Sequence, residues 1–328
     1  MQPDRPSSTP SSVSQPNLRK LALCKVRKRY ALLGVGITAA VFWISFAKFA
    51  LPLLVPTTPP AGAETKADLP QAAIPIDPNY QTYELDNATV HVVTLHPQEQ
   101  PVVAVADELA TVEDFARKTN ALVVLNAGFF DPQNGKTTSH LVSQGQVVGD
   151  PAANERLVGN PDLAPYIAQI LNRSEFRVYD CGVNQPGYDI TFHNAPVPIN
   201  CTIQSAVGAG PQLSPRDTSL EEGFTDYENG ELVRDAIGSR SANARSAIAL
   251  TADGNILLIM AAQRPNAPGL TLAEVADFAT SIDAIKLLNL DGGSSSSLYY
   301  NGQTYYGRLD AEGNPIERPV KSAVIVRP

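Results

Sequence analysis

Fourteen residues near the C-terminal end restrict the fold more than any other stretch: Leu287-Leu288-Asn289-Leu290-Asp291-Gly292-Gly293-Ser294-Ser295-Ser296-Ser297-Leu298-Tyr299-Tyr300. An apolar run with strand character stops at an aspartate, two glycines and four serines, and a second strand-like run follows. Such a chain must turn where a strand ends, and it leaves the Asp291 carboxylate at that point. Gly292 and Gly293 permit positive φ and close backbone approach, while Ser294 and Ser295 offer hydroxyls and N–H groups. Two outcomes fit. One is a hairpin, because Asp-Gly and Gly-Gly between apolar runs are strong turn signals. The other is a cradle for a sugar or a phosphate. They are compatible, since turns on rigid scaffolds often carry function.

The rest of the chain predicts one large domain with an N-terminal extension. The chain has 328 residues, but roughly the first eighty lack the patterning of a packed core. Residues 1–29 begin rich in Pro, Ser and Gln and end in a basic cluster, so they read as a disordered cytoplasmic tail. Residues 30–55 carry an uncharged run to Ala47 with Leu32, Val35, Ile37, Phe42 and Trp43. About 18 such residues suffice for a transmembrane helix, and Lys48 can snorkel. The basic residues before it place everything beyond it on the periplasmic or extracellular side. A cleaved signal peptide competes with this single-pass signal-anchor, because Ala61-Gly62-Ala63 has the form of a cleavage site. Residues 56–79 read as a Pro-rich linker and residues 80–328 as the folded domain.

Charge and cysteines narrow the partners. The formal charge is −8, and the seven basic residues and one acid of residues 1–29 leave about −14 on the remainder. So acidic a domain argues against nucleic acid. Cys181 and Cys201 form a disulfide if the domain is exported, worth about 3 kcal/mol by loop closure, and are buried thiols otherwise. Neither has CxxC spacing, which argues against a metal site.

The element pattern is strand-rich with few helices and no regular βαβ alternation, which predicts an α+β domain. Strands are expected at Thr89–Leu95, Val102–Ala106, Ala121–Leu125 and Val320–Val326, with a hairpin at Gly145–Gly149 and another through Ala252-Asp253-Gly254. Thr111 caps a short helix to Asn120, and Thr271 caps a clearer one over Leu272–Ile282. A further helix is expected over Leu163–Leu171.

Three other stretches carry polar chemistry at strand ends. Asn126-Ala127-Gly128-Phe129-Phe130-Asp131 combines an amide, a carboxylate and aromatic faces that suit a sugar, or else two core phenylalanines before a turn. Gly208 and Gly210 in Val207-Gly208-Ala209-Gly210-Pro211 allow close backbone approach but lack the helix and third glycine of a dinucleotide fingerprint. Arg245 precedes a strand and suits either a bidentate phosphate clamp or a solvated surface position. His140 and His193 are lone histidines without a ligand pair. The residues alone name no reaction.

Taken in order, Asn126-Ala127-Gly128-Phe129-Phe130, Gly208-Ala209-Gly210-Pro211, Arg245-Ser246-Ala247-Ile248 and Leu290-Asp291-Gly292-Gly293-Ser294-Ser295 resemble the phosphodiester glycosidase domain over roughly residues 80–328. The resemblance implies hydrolysis of a sugar-1-phosphodiester, in envelope or exopolysaccharide metabolism. In that setting Arg245 meets the phosphate, Asp291 serves the anomeric carbon or its attacking water, and Asp131 is a second carboxylate. Asn126, Gly128, Phe129, Gly208, Gly210, Gly292, Gly293, Ser294, Ser295 and Arg264 line the substrate. No cofactor is assigned, and a divalent cation is left open. The chain departs from the family pattern at Ser294 and Ala249, where glycines are common, and at Ala262-Gln263-Arg264, where many members carry Asp-Gly-Arg. The missing carboxylate at Ala262 motivates the alternative of a non-catalytic polysaccharide-binding envelope module.

Overall fold

Two central strands, Arg245–Thr251 and Ile256–Ala262, are buried at every position. Their side chains alternate between two apolar clusters, Ile248 and Leu258 facing one and Ala247, Leu257 and Ile259 the other. Both faces are therefore covered, which is why these segments read as continuous apolar runs rather than alternating ones. The computed structural model describes residues 79–182 and 186–328. The expectations for residues 1–29, for 30–55 and for the linker as far as residue 78 lie outside the described residues.

Three antiparallel sheets surround the main core. The first has six strands in the order Tyr80–Glu84, Thr89–Leu95, Ile256–Ala262, Arg245–Thr251, Ala284–Asn289, Gln212–Ser214. The second has five, Gln303–Tyr306, Ser297–Tyr300, Val123–Asn126, Val320–Val326 and Val102–Ala110. The third also has five, Gln146–Gly149, Leu141–Ser143, Thr202–Gly208, Ser174–Asp180 and Pro186–Phe192. Val93 and Leu288 from the first sheet meet Leu125 and Leu298 from the second and Phe176 and Val207 from the third. At about 1.5–3 kcal/mol per fully buried aliphatic or aromatic side chain, this junction is the principal favourable term.

The two longer helices cover the outer faces. Val112–Thr119 seats Val112, Phe115 and Ala116 on the second sheet, and Leu272–Ser281 seats Leu272, Val275 and Phe278 on the first. Each starts with the expected threonine in a reciprocal capping box, Thr111 with Asp114 and Thr271 with Glu274. The α+β expectation of a strand-rich domain with few short helices holds. The helix expected over Leu163–Leu171 does not form as one unit. Pro161–Tyr166 is 3₁₀ and only Ile167–Ile170 is α-helical, because Pro165 supplies no N–H and blocks a regular turn. A Cys181–Cys201 disulfide ties the start of the Thr202–Gly208 strand to the end of Ser174–Asp180.

The hairpin expectation for Leu287–Tyr300 is overturned. Ala284–Asn289 pairs with Arg245–Thr251 in the first sheet, while Ser297–Tyr300 pairs with Val123–Asn126 in the second. The Asp-Gly-Gly-Ser segment carries the chain from one sheet to another through a 3₁₀ turn, Gly293–Ser295. Turn chemistry was read correctly, but strand pairing is a long-range choice that the local residues do not encode.

Gly208 and Gly210 stand where the chain packs too closely for a side chain. A Cβ on Gly208 would sit 3.0 Å from the His140 backbone nitrogen. Gly210 has φ +114, and a Cβ there would lie 2.2 Å from Oε2 of Glu222 and 2.8 Å from Phe224. Glu222 is fully buried and accepts from Ser174 N (3.0 Å), Ser174 Oγ (2.7 Å) and Gln212 N (3.0 Å). It has no room to retreat. Gly210→Ala is therefore expected to lower stability by about 3 kcal/mol or more, from overpacking plus an unfavourable φ. Urea denaturation of the variant would measure this, and an unchanged midpoint would contradict it.

Candidate active site

The sheet-to-sheet crossing creates a cavity of about 370 Å³. Its floor is Asn289, Leu290 and Asp291-Gly292-Gly293-Ser294-Ser295, and its walls include Phe129, Phe130, Ile237, Asn243 and three arginines, Arg245, Arg308 and Arg318. Asp291 is the one carboxylate among these lining residues. A pocket lined by three cations and one acid stands out on a domain whose charge is strongly negative. It suits an anionic ligand.

Asn126 builds this site without facing it. Fully buried at the end of its strand, it donates from Nδ2 to the Asp291 carbonyl at 2.6 Å. Its Oδ1 accepts from Ser246 Oγ (2.7 Å) and Ser297 N (3.1 Å). The Asp291 N–H in turn donates to the Ala127 carbonyl at 2.9 Å. One amide thus links both sheets and the crossing loop, and it positions Asp291 rather than a sugar. Gly293 adopts φ +63, and its N–H donates to the Ala244 carbonyl at 2.8 Å. That left-handed turn is cheap for glycine alone among residues.

Asp291 itself is only partly exposed. Burial pushes its carboxyl up to about 6, against the opposing influence of the Ser295 hydrogen bond, the Arg318 charge and the Gly292 backbone. A carboxyl with that value changes charge within the range where catalytic acids and bases work. Arg318 donates from Nη1 to Ser294 Oγ at 3.2 Å and its guanidinium lies 5.5 Å from the centre of the Phe130 ring. Arg308 is exposed at the pocket rim, with Nη1 3.7 Å from where a Gly293 Cβ would stand.

Arg245 is placed differently from the sequence expectation of a phosphate clamp. It is 3 % exposed, and Nε donates to Leu270 O (3.1 Å), Nη1 to Ile237 O (3.2 Å) and Nη2 to Gly238 O (2.6 Å) and Ser241 O (2.7 Å). Four of a guanidinium's five N–H groups are thereby engaged with backbone carbonyls. It holds the pocket wall.

The remaining candidates divide. Phe129, Gly292, Gly293, Ser294 and Ser295 line the cavity with Asp291, whereas Gly128, Gly208, Gly210, Asp131 and Arg264 do not. A Cβ on Gly128 would meet the Gly208 carbonyl at 2.9 Å, so this glycine serves the contact with the third sheet. Asp131 caps a turn by accepting from Gln133 N at 2.8 Å and pairs with Arg156 at 2.6 Å. Arg264 binds the backbone carbonyls of Leu85 and Asp86 and pairs with Glu84 at 3.2 Å. Ala262 is a main-core side chain outside the cavity lining.

Arg308, Arg318 and Asn289 escaped the sequence reading. The arginines stand at the two ends of a turn-rich segment, Asp310-Ala311-Glu312-Gly313-Asn314-Pro315. Its stem is closed by Ile316 N donating to Arg308 O at 2.8 Å. Basic residues on both sides of an Asp/Gly/Asn/Pro cluster are the signal that was available. The histidines taken as separate are stacked, His140 on His193 at 3.5 Å, with His193 Nδ1 2.9 Å from Glu175 Oε2. Among the described residues no three His, Cys, Asp or Glu side chains gather to hold a metal.

A strand-rich domain with its carboxylate at the crossing between two of its central sheets is the class that fold and site define. The phosphodiester glycosidase family model matches residues 119–327, and the chain belongs to that family. It is 26 % identical over 196 residues to the mouse N-acetylglucosamine-1-phosphodiester alpha-N-acetylglucosaminidase, a match covering 59 % of this chain and 34 % of that protein. The chain thus spans about a third of the length of this curated relative. The fold is similar to the zebrafish N-acetylglucosamine-1-phosphodiester alpha-N-acetylglucosaminidase catalytic domain auto-inhibited by its pro-peptide. That match has TM-score 0.54 at 15 % identity, covering 76 % of this chain and 81 % of that one. It is also similar to a hypothetical protein from Synechocystis, with TM-score 0.51 at 19 % identity, covering 75 % of this chain and 61 % of that one.

Proposed function

We propose that the chain is a hydrolase that cleaves a sugar-1-phosphodiester at the Asp291 pocket, on the sugar side of the bridging oxygen. The single observation that carries this is the pairing of a carboxyl raised to about 6 with two arginines, Arg308 and Arg318, in one small cavity on an acidic domain. The mouse relative's name denotes a glycosidase for the same class of bond. In the step envisaged, a water oxygen bonds to the anomeric carbon as the bond from that carbon to the phosphate oxygen breaks. The bonding pair leaves with the phosphate, and ionised Asp291 takes the proton from the water. Products are the free sugar and a phosphomonoester. Arg308 and Arg318 face the charge that grows on the leaving phosphate, which is where preorganised cations lower a barrier most. A phosphate leaves readily, so a single carboxylate suffices where ordinary glycosides use a pair.

The N-terminal segment completes the proposal. Residues 30–55 would anchor the chain in a membrane with the catalytic domain on the periplasmic or extracellular side, where envelope or extracellular polysaccharides supply the substrate. The Cys181–Cys201 disulfide suits such an oxidising location. No step in this scheme calls for a cofactor.

The test is turnover of a panel of sugar-1-phosphodiesters, with and without divalent cations. Arg308→Ala and Arg318→Ala are each expected to lower kcat/KM about 10- to 100-fold and to weaken its salt dependence, since each removes a charged contact. Wild-type kcat/KM in both variants would overturn the phosphate assignment. Tight glycan binding without turnover of any member would instead favour the polysaccharide-binding module.

A further inference from the structure

Arg173 and Arg234 are half-buried arginines that enter no ion pair among the described residues. Each is held at one nitrogen and one face. Arg173 Nε donates to the Glu222 carbonyl at 3.1 Å, and Arg234 Nε donates to the carbonyl of the next residue, Gly223, at 2.9 Å. The Arg173 guanidinium lies 3.7 Å from the centre of the Phe224 ring, and the Arg234 guanidinium lies 4.4 Å from that of Tyr166. Their Nη groups have no hydrogen-bond partner among the described residues, yet none is fully buried, so solvent reaches them. Consecutive carbonyls thus set two cations side by side with their Nη donors free.

Like charges held together repel, and no carboxylate in contact offsets either one. Glu222 turns its carboxylate to Ser174, Gln212 and Thr218, and Asp226 accepts from the Tyr166 hydroxyl at 2.8 Å. Burial lowers the Arg173 guanidinium to about 10, opposed by the Glu222 charge and reinforced by that of Arg234, so it stays a cation at neutral pH. Guanidiniums fixed in this way, with free Nη groups, suit the oxygens of a phosphate. The pair also adjoins the Asp291 pocket. Phe129 lines that cavity, and its ring centre stands 5.8 Å from that of Phe224 and 6.0 Å from the Arg173 guanidinium. Ala236 lines it too, and its N–H donates to the Phe224 carbonyl at 2.8 Å. We propose that Arg173 and Arg234 form an anion subsite beside the pocket, taking a second phosphate carried by the group beyond the scissile one. This rests on the sugar-phosphodiester reading, in which Arg308 and Arg318 meet the scissile phosphate. The second phosphate is either joined directly to the first, as a diphosphate, or carried one sugar further along a repeating sugar-phosphate chain.

The experiment uses the full chain and three substrates that share one sugar-1-phosphate end. Beyond that phosphate the first has an uncharged group, the second a phosphate joined directly, and the third a phosphate after an intervening sugar. For the wild type at low salt, one of the two doubly charged compounds is expected to show kcat/KM about 10- to 100-fold above the first. The margin should shrink as salt is added, and the better compound identifies the source. Arg173→Ala and Arg234→Ala are each expected to cut that ratio about 10-fold. Equal kcat/KM for all three compounds in the wild type, or a ratio that both variants keep, would overturn the subsite. So would a loss that is the same for every compound, which is what a purely structural role produces. Should Arg173→Ala fail to fold, Arg234→Ala decides alone, since Arg234 lies on the two-stranded hairpin of Thr225–Glu228 and Glu231–Asp235. Calorimetric binding of the same compounds separates this inference from the hydrolase reading. Preference for a doubly charged compound without turnover retains the pair and removes the reaction, whereas turnover without preference does the reverse. Absence of binding and turnover overturns both.

Discussion

Asp291→Asn is expected to lower kcat/KM by three orders of magnitude or more while leaving the protein at least as stable as the wild type at neutral pH. The first half follows from its place as the one carboxylate lining the pocket, because an amide can neither accept the water's proton nor carry the negative charge. The second half follows from the pKa. A carboxyl that titrates near 3.8 when exposed and at about 6 in the fold binds its proton more tightly in the folded chain. Stability therefore falls as pH rises from about 4 to about 6, and the full cost is present above that window. A shift of about two units corresponds to at most about 3 kcal/mol. Removing the charge should raise the melting temperature at pH 7 and make no difference near pH 3. The wild-type kcat/KM should rise through pH 6 as the base ionises, and the variant's residual rate should not. A variant that loses stability at pH 7, or keeps wild-type turnover, would show that Asp291 is not a strained catalytic carboxylate.

How much of this was legible in the sequence depends on the range of the interaction involved. Helix caps are local, and Thr111 and Thr271 were found where their side chains bond. Strands at Thr89–Leu95 and Val320–Val326 were equally legible from apolar patterning. The partner of Ser297–Tyr300 was not, since residues 287–300 carry the same turn signals whether the two runs pair with each other or with different sheets. At the site, Asp291 and its glycines were visible because a carboxylate at a strand end is a local event. Arg245 and Asn126 were also visible, but their direction was not. Each turns its polar groups into the protein, and that depends on how the preceding 237–241 segment folds back and on Leu270, Ser246 and Ser297 arriving from elsewhere in the chain. Arg308 and Arg318 reach the pocket only because the last strand returns beside Val123–Asn126. No local residue pattern specifies that return.

The direction of Arg245 gives the other large effect. An arginine that clamps substrate phosphate can be removed with loss of affinity and little loss of stability. One that is 3 % exposed with four donors on backbone carbonyls cannot. Truncation to alanine leaves carbonyls of Ile237, Gly238, Ser241 and Leu270 without their partner, together with the space of a guanidinium. Charge-assisted hydrogen bonds contribute about 1.5–3 kcal/mol each and are not additive, so a total near 3–5 kcal/mol is expected for Arg245→Ala. Lysine should recover only part, because an ammonium on a flexible stem does not reproduce a planar fork that spans both sides of the 237–241 segment. Burial already disfavours the charged guanidinium, opposed by Asp235, so the interaction is held by geometry more than by a paired charge. Ile237 lines the cavity, and loosening this segment should also raise KM for the substrate. The order of effects separates the two roles. In Arg245→Ala the denaturation midpoint should move first and furthest, whereas in Arg308→Ala it should stay and only kinetics should change. A native midpoint in Arg245→Ala with a raised KM would return Arg245 to the phosphate and shift the burden of the pocket wall elsewhere.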